Sequence, residues 1–224
     1  MNVRKELLKH KNEKFRKFEA NLTPNLDIKN IIGVKSPYQK EIAKNLYKTG
    51  DYKKFIDSVP HKYLEENLVH VHLINCLKDY DECIYALNKI LPYIDNWMVS
   101  DSISSKYFER NKDKLIKFIN KCLSSKKTYV IRVGIIFLKK YYLDDDFNKS
   151  QMNKALSIKH EDYYVKMMQA WYIADGLIKH KDDFLSVLKK KKLDKFVQNK
   201  AIQKARESYR IPSTLKRELL KYKI

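Results

Sequence analysis

Apolar residues recur along this chain at intervals of three and four, the spacing that places them on one face of an α-helix. Val3, Leu7, Leu8, Phe15, Phe18 and Leu22 follow it with polar residues between them, and predict one amphipathic helix at the start. The turn-rich stretch from Thr23 to Asp27 ends it. Ser36-Pro37-Tyr38-Gln39 then combines an N-cap serine, a proline at the first helical position and a glutamine at the third, predicting a second helix that stops near Gly50. Leu64, Leu68, Val71 and Ile74 or Leu77 mark another helix, and Cys83, Ile84, Leu87, Ile90 and Leu91 mark the next, closed by Pro92. Further helical periodicities run over 115–123, 130–141, 152–158, 164–178, 184–188, 196–205 and 215–220. About a dozen helices are expected, and no strand.

Short helices joined by short loops, without long heptads, fit an α-solenoid better than a four-helix bundle. The fold class expected is therefore all-α, a superhelix of HEAT-like antiparallel helix pairs forming a single domain over 1–224. Trp97, Arg132, Trp171 and Arg210 are 35, 39 and 39 residues apart, close to the period of about 40 for such pairs. Residues one repeat apart project from equivalent helices, so these four are expected on one face, which in a curved solenoid can be a concave groove.

Composition agrees and adds a partner. The 224 residues hold only 4 Gly and 5 Pro, and 44% are hydrophobic, which excludes collagen-like and Gly/Pro-rich disordered chains. The longest apolar stretch, Val133 to Leu138, is far too short to cross a bilayer. The N-terminal segment lacks the apolar core of a signal peptide, so a soluble cytoplasmic protein is expected. Cys76, Cys83 and Cys122 are odd in number and widely spaced, which suggests buried thiols rather than a disulfide framework or a paired-Cys metal site. Against 27 Asp and Glu stand 47 Lys and Arg, a formal net charge of +20. Half of the excess lies between Lys189 and Ile224. A field of that sign attracts polyanions, nucleic acid first among them. A solvated lysine-rich surface is the other reading of the same charge.

Conventional catalytic signatures are missing: there is no Gly-rich phosphate loop, no HExxH, no GxSxG and no paired-Cys arrangement. His70 and His72 stand about 200° apart around a helix, a poor geometry for one metal, and read as structural or surface residues. Asp144-Asp145-Asp146 lacks the glycine turn and terminal glutamate of an EF-hand and reads as a loop. The segment from Asp95 to Ile103 stands out because Trp97 and Asp101, four apart, share one helix face. By spacing alone Trp97 and Trp171 are also readable as core aromatics, Asp101 as a cap or surface charge, and Arg132 as a cation snorkelling to solvent.

The chain resembles the DNA alkylation repair enzymes, DNA glycosylases built from HEAT-like helical repeats. The resemblance spans nearly the whole length. It runs through IIGVKSPYQKEIAK, IDNWMVSDSI, YVIRVGIIFLKKYY, YYVKMMQAWYIADGLIK and NKAIQKARESYRI, in that order. It implies a lesion site matched here by Trp97, Asp101, Arg132 and Trp171. Alkylation at N3 or N7 makes a purine cationic and a good leaving group, so no strong general acid is required. A carboxylate at Asp101 would stabilise the oxocarbenium-like sugar and position water. Trp97 and Trp171 would pack on the deoxyribose and engage the cationic nucleotide. Arg132 would hold a phosphate, with Lys166, Lys200, Lys204, Arg206 and Arg210 adding phosphate contacts. The partner implied is duplex DNA carrying alkylated purines, bound by a monomer without cofactor, metal or membrane. Where the family often has Arg after the Pro of the GV-x-x-P segment, this chain reads Pro37-Tyr38-Gln39-Lys40, a departure that bears on one N-terminal phosphate contact. A non-catalytic HEAT-like module for distorted or branched DNA, or a protein-interaction scaffold, are the alternatives.

Overall fold

A computed structural model describes all of residues 1–224 as fifteen α-helices and three 3-10 turns, with no strand. The chain divides into two compact units, Met1–Asp113 and Lys114–Ile224. The first holds α1 (Val3–Leu8), α2 (Glu13–Leu22), α3 (Ser36–Lys48), α4 (Tyr52–Asp57), α5 (Leu64–Ile74), α6 (Tyr80–Ile90), α7 (Trp97–Ser102) and α8 (Lys106–Arg110). After α9 (Lys112–Leu123), which starts at the boundary, come α10 (Thr128–Tyr141), α11 (Lys149–Leu156), α12 (Tyr163–Lys179), α13 (Lys181–Lys189), α14 (Lys195–Glu207) and α15 (Ser213–Leu219). No helix is long and apolar enough to cross a membrane.

Two local expectations need correction. The opening amphipathic helix is two helices, α1 and α2. Asn12 breaks it, because its side chain accepts from the Phe15 amide at 2.8 Å and its own amide donates to the Gly33 carbonyl at 2.9 Å. At the second helix Ser36 is already helical and Lys35 is the N-cap. Gln39 does not close a capping box; its buried side-chain amide donates to the Val34 carbonyl at 2.6 Å. The helix ends as expected at Gly50, in the left-handed region at φ 79°.

Helix α5 is the centre of the first unit, packing against α1, α3, α4, α6 and α7. All eleven of its residues are buried, including Glu65, Glu66, Asn67, His70 and His72. Each charge there needs a partner. Glu66 accepts from Arg4 Nε at 2.9 Å and from the amides of Lys62 and Tyr63 at 3.1 and 3.0 Å. Glu65 gathers the amides of Ile32, Gly33 and Val34. Three successive amides point at one carboxylate because Gly33 sits at φ 86°, where a Cβ would lie 2.4 Å from the Asn12 carbonyl oxygen. Only glycine fits that turn.

Glu19, from α2, completes the cluster. Burial, then the charge of Glu65 beside it and the hydrogen bond between the two, push its carboxyl up to about 8, so at neutral pH it carries the proton that links them. His70 donates from Nε2 to the Ala86 carbonyl at 2.9 Å. Since a carbonyl only accepts, His70 Nδ1 must accept from His61 Nε2, 2.9 Å away. Burial holds His70 down at about 3 and His61 at about 4, so both are neutral. This is the structural role expected for His70, and His72 is buried as well.

In the second unit α12 packs against α10, α13 and α14. Gly176 lets the Phe184 ring lie against α12, where a Cβ would stand 2.3 Å from the ring. Phe184 in turn meets Tyr172 edge-on, ring centroids 5.3 Å apart. Two buried glutamines tie loops to helices. Gln169 donates to the carbonyls of Ala155 and Ile158, and Gln198 to those of Leu188 and Tyr222. Cys83 and Cys122 are buried thiols, burial pushing them up to about 11 and about 12, whereas Cys76 is only half-buried.

The shared proton predicts a pH dependence. In the unfolded chain Glu19 titrates near 4.5, in the native state near 8. Its contribution is therefore fully present below about 4.5 and declines as pH rises through about 8. Thermal melts from pH 5.5 to 8.5 are expected to show the wild type losing stability relative to Glu19→Gln, which has no proton to lose. Parallel curves would remove the shared proton. Gly33→Ala is expected to lower the melting temperature at every pH.

Candidate functional site

The most distinctive sequence segment folds as a short, well-capped helix. Asn96, fully buried, accepts from the Val99 amide at 3.1 Å to start α7, and its own side-chain amide donates to Asp95 Oδ1 at 2.8 Å. At the other end the Ser102 hydroxyl donates back to the Met98 carbonyl at 2.7 Å, and Ser105 opens α8 by accepting from the Tyr107 amide. Trp97 and Asp101, the first and fifth residues of α7, therefore share one face as their spacing predicts.

Both side chains are half-buried. Trp97 is anchored: its indole Nε1 donates to the Leu22 carbonyl, the last residue of α2, at 2.9 Å. Asn25 fixes the same approach by donating to the Asp95 carbonyl at 2.6 Å. The Ser100 hydroxyl lies 2.8 Å from Asp101 Oδ1 and 3.2 Å from the Trp97 carbonyl. It has one proton, and the shorter bond to a carboxylate is the stronger. Ser100, on the same helix, thus helps to orient Asp101.

The remaining candidates belong to the second unit. Arg132, on α10, is buried, and its Nη1 donates to the Tyr164 carbonyl at 2.8 Å. It does not snorkel to solvent, because that carbonyl gives the guanidinium a partner inside. Trp171, on α12, is 39% exposed and so is not the core aromatic that its surroundings in sequence allow. Lys204 Nζ lies 5.1 Å from its ring centroid while pairing with Glu207 at 2.8 Å.

Lys166 is occupied by two carboxylates, Glu161 at 3.0 Å and Asp194 at 3.3 Å, and the hydrogen bond it donates to Glu161 is the main reason its ammonium titrates above the usual lysine range. Lys200 bonds Gln203 Oε1 at 2.9 Å, and Arg206 is exposed on the same helix. Arg210 is exposed too, but it stands in the turn after α14. The roughly 40-residue period that groups it with Trp97, Arg132 and Trp171 on equivalent helices therefore fails at its last member.

Sequence reasoning missed the aromatic side of this unit. Tyr163, 54% exposed, meets Phe196 with ring centroids 5.6 Å apart, and Lys200 Nζ lies 5.6 Å from the Phe196 ring. The Phe196–Lys200 interval of four was the available signal. No group of three or more His, Cys, Asp or Glu side chains is gathered so as to hold a metal ion.

The model of the DNA alkylation repair enzyme family matches residues 3–208, from the first residue of α1 through the whole of α14. The chain belongs to this family. No curated protein matches the chain. The match contains Trp97, Asp101, Arg132, Trp171, Lys166, Lys200, Lys204 and Arg206, and ends two residues before Arg210. As a member of a DNA alkylation repair enzyme family the protein has DNA as its partner, in keeping with its net charge of +20.

The anchoring of α7 yields a stability prediction. Trp97→Phe keeps an aromatic ring but leaves the Leu22 carbonyl without its donor, at a cost of about 1 kcal/mol. The melting temperature is expected to fall by roughly 2–4 °C. An unchanged melting temperature would show that the indole hydrogen bond does not hold α7 to α2.

Proposed function

We propose that this member of the DNA alkylation repair family is a monofunctional DNA glycosylase acting on cationic N3- or N7-alkylated purines in duplex DNA. The observation that carries the reading is Asp101: a half-buried carboxylate one helical turn from Trp97, oriented by Ser100, in the W-x-x-x-D segment that the resemblance marks as the lesion site.

The chemistry asks little of the protein. An alkylated purine already carries positive charge, so when the C1′–N9 bond breaks, its electron pair neutralises the departing base. The sugar is left electron-poor. A carboxylate beside C1′ stabilises that developing charge and orients a water whose oxygen bonds to C1′, its proton passing to the carboxylate or to solvent. Asp101 takes this role. Trp97, held by the Leu22 carbonyl, offers its ring to the deoxyribose, and Trp171 offers a second exposed indole with Lys204 nearby.

Among the phosphate contacts, Lys200, Lys204, Arg206 and Arg210 are reachable without breaking the core. Lys166 must exchange carboxylate partners for phosphate, and Arg132 acts from a buried position, through an internal partner. The solution field extends about 8 Å at physiological salt, so these cations act together at short range.

The test is release of 7-methylguanine and 3-methyladenine from methylated duplex DNA. Asp101→Asn is expected to slow release about a hundredfold or more while leaving duplex affinity nearly unchanged. Equal rates for wild type and variant would remove the catalytic assignment. Duplex binding with no release by either protein would leave a DNA-binding module. A salt-independent affinity would favour a protein-interaction scaffold over both, since each neutralised phosphate contributes a log–log slope of about −0.9.

A further inference from the structure

The second unit carries a cleft of about 600 Å³ along α14, lined by Lys195, Phe196, Lys200, Arg206 and Lys223 among others. Four cations and one aromatic ring share its lining, and no carboxylate side chain lines the cleft. Its wall is well held. Asn199 and Ile224 exchange two hydrogen bonds, at 2.6 and 3.1 Å, which fixes the segment bearing Lys223 against α14. Gln198 adds a part-buried bond to the Tyr222 carbonyl at 2.8 Å. Lys200 is steered by Gln203, which passes its own amide to Glu207.

The aromatic component is what a purely phosphate-binding surface has no use for. Phe196 is half-exposed beside the cleft, with Lys200 near its ring, and Tyr163 continues the aromatic surface at 5.6 Å. In a duplex both faces of each base are covered by its neighbours, so a ring at the surface can be stacked only by a nucleotide that has left the stack. An acidic peptide would answer the four charges and leave both rings without a planar partner.

We propose that this cleft binds an unpaired nucleotide in a single-stranded segment of nucleic acid. The base stacks against Phe196 with Tyr163 beside it, and the flanking phosphates lie on Lys200, Arg206 and Lys223, with Lys195 at the rim. Base–aromatic stacking tolerates any sequence, because every base has a π-face. The site shares Lys200 and Arg206 with the interface for duplex DNA but does not depend on base excision.

The experiment measures fluorescence anisotropy of a labelled eight-residue oligothymidylate on the full chain, with an eight-phosphate inorganic polyphosphate as the base-free probe. Phe196→Leu keeps apolar bulk and removes the ring. It is expected to weaken oligothymidylate binding about tenfold and to leave polyphosphate within about twofold, with Phe196→Tyr restoring the loss. Arg206→Gln with Lys223→Gln is expected to weaken both probes and flatten the salt slope by about 0.7 for each cation removed.

Unchanged oligothymidylate binding in Phe196→Leu, or equal loss of both probes, would overturn the proposal. So would an octaglutamate peptide that binds as tightly and with the same sensitivity to Phe196→Leu. Asp101→Asn is expected to bind oligothymidylate like the wild type. A chain that stacks single strands but releases no methylated base would therefore sink the glycosylase reading alone, and an active chain indifferent to Phe196→Leu would sink this one alone.

Discussion

A carboxylate in the middle of a helix core governs the first unit. Glu65 is removed from water, and an isolated buried charge costs several kcal/mol. Three backbone amides from Ile32 to Val34 and the proton of Glu19 satisfy it. That arrangement constrains everything it touches. The amides reach one point only if Gly33 is left-handed, and Glu19 reaches it only if α2 lies with its acidic residue inward and Phe18 and Leu22 exposed. The carbonyl of Leu22 is then delivered to the Trp97 indole. The position of the candidate site is thus tied to a polar cluster in the same last turn of α2, since Glu19 stands less than one helical turn before Leu22. Apolar packing alone would let α2 rotate to bury its phenylalanines, and Trp97 would lose its acceptor.

The second unit solves the same problem of placing loops with neutral groups. Gln169 and Gln198, both buried, each donate to two carbonyls at or just beyond the ends of neighbouring helical segments. Gln39 does the same once in the first unit. Such bonds contribute only about 1 kcal/mol each. Their effect is to specify, since a loop carbonyl that shifts leaves a buried amide unpaired at greater cost than the bond was worth. Arg132 belongs with these groups as much as with the cations, because its guanidinium joins α10 to the Tyr164 carbonyl of α12. Its charge and its packing are inseparable in any substitution.

Helix content was legible from periodicity because most helices here bury one apolar face and leave the other wet. The failures share a cause: a side chain whose partner lies far away in sequence. Nothing near Asn12 announces that its amide will meet the Gly33 carbonyl, so the break between α1 and α2 is invisible to local pattern. The burial of Glu65 and Glu66 in α5 carries no local signal either, because Glu65 is met by the turn at Ile32 and Glu66 by Arg4 near the start of the chain. In the candidate site, Trp97 and Asp101 were readable because both lie within one turn of one helix. The burial of Arg132 was not, since its acceptor is 32 residues distant. The pairing of Lys166 with Asp194 was not, for the same reason.

The net charge sets the last constraint. A chain at +20 gathers phosphate strongly, yet the substrate proposed for it is itself cationic at the base. These demands oppose each other only if charge is treated as a single number. In the proposed function the lysines and arginines of α14 act on phosphates, which outnumber one alkylated purine along any strand, and screening confines each cation to about 8 Å. At the reacting sugar the requirement reverses sign, and there a carboxylate is needed. Positive surroundings favour departure of a cationic base, while a local negative group stabilises the sugar it leaves. A uniformly basic groove would bind damaged DNA and do nothing further. On this reading the catalytic content lies in the negative charge of Asp101, and the Trp97 anchor matters because it holds α7, and with it that carboxylate, in place.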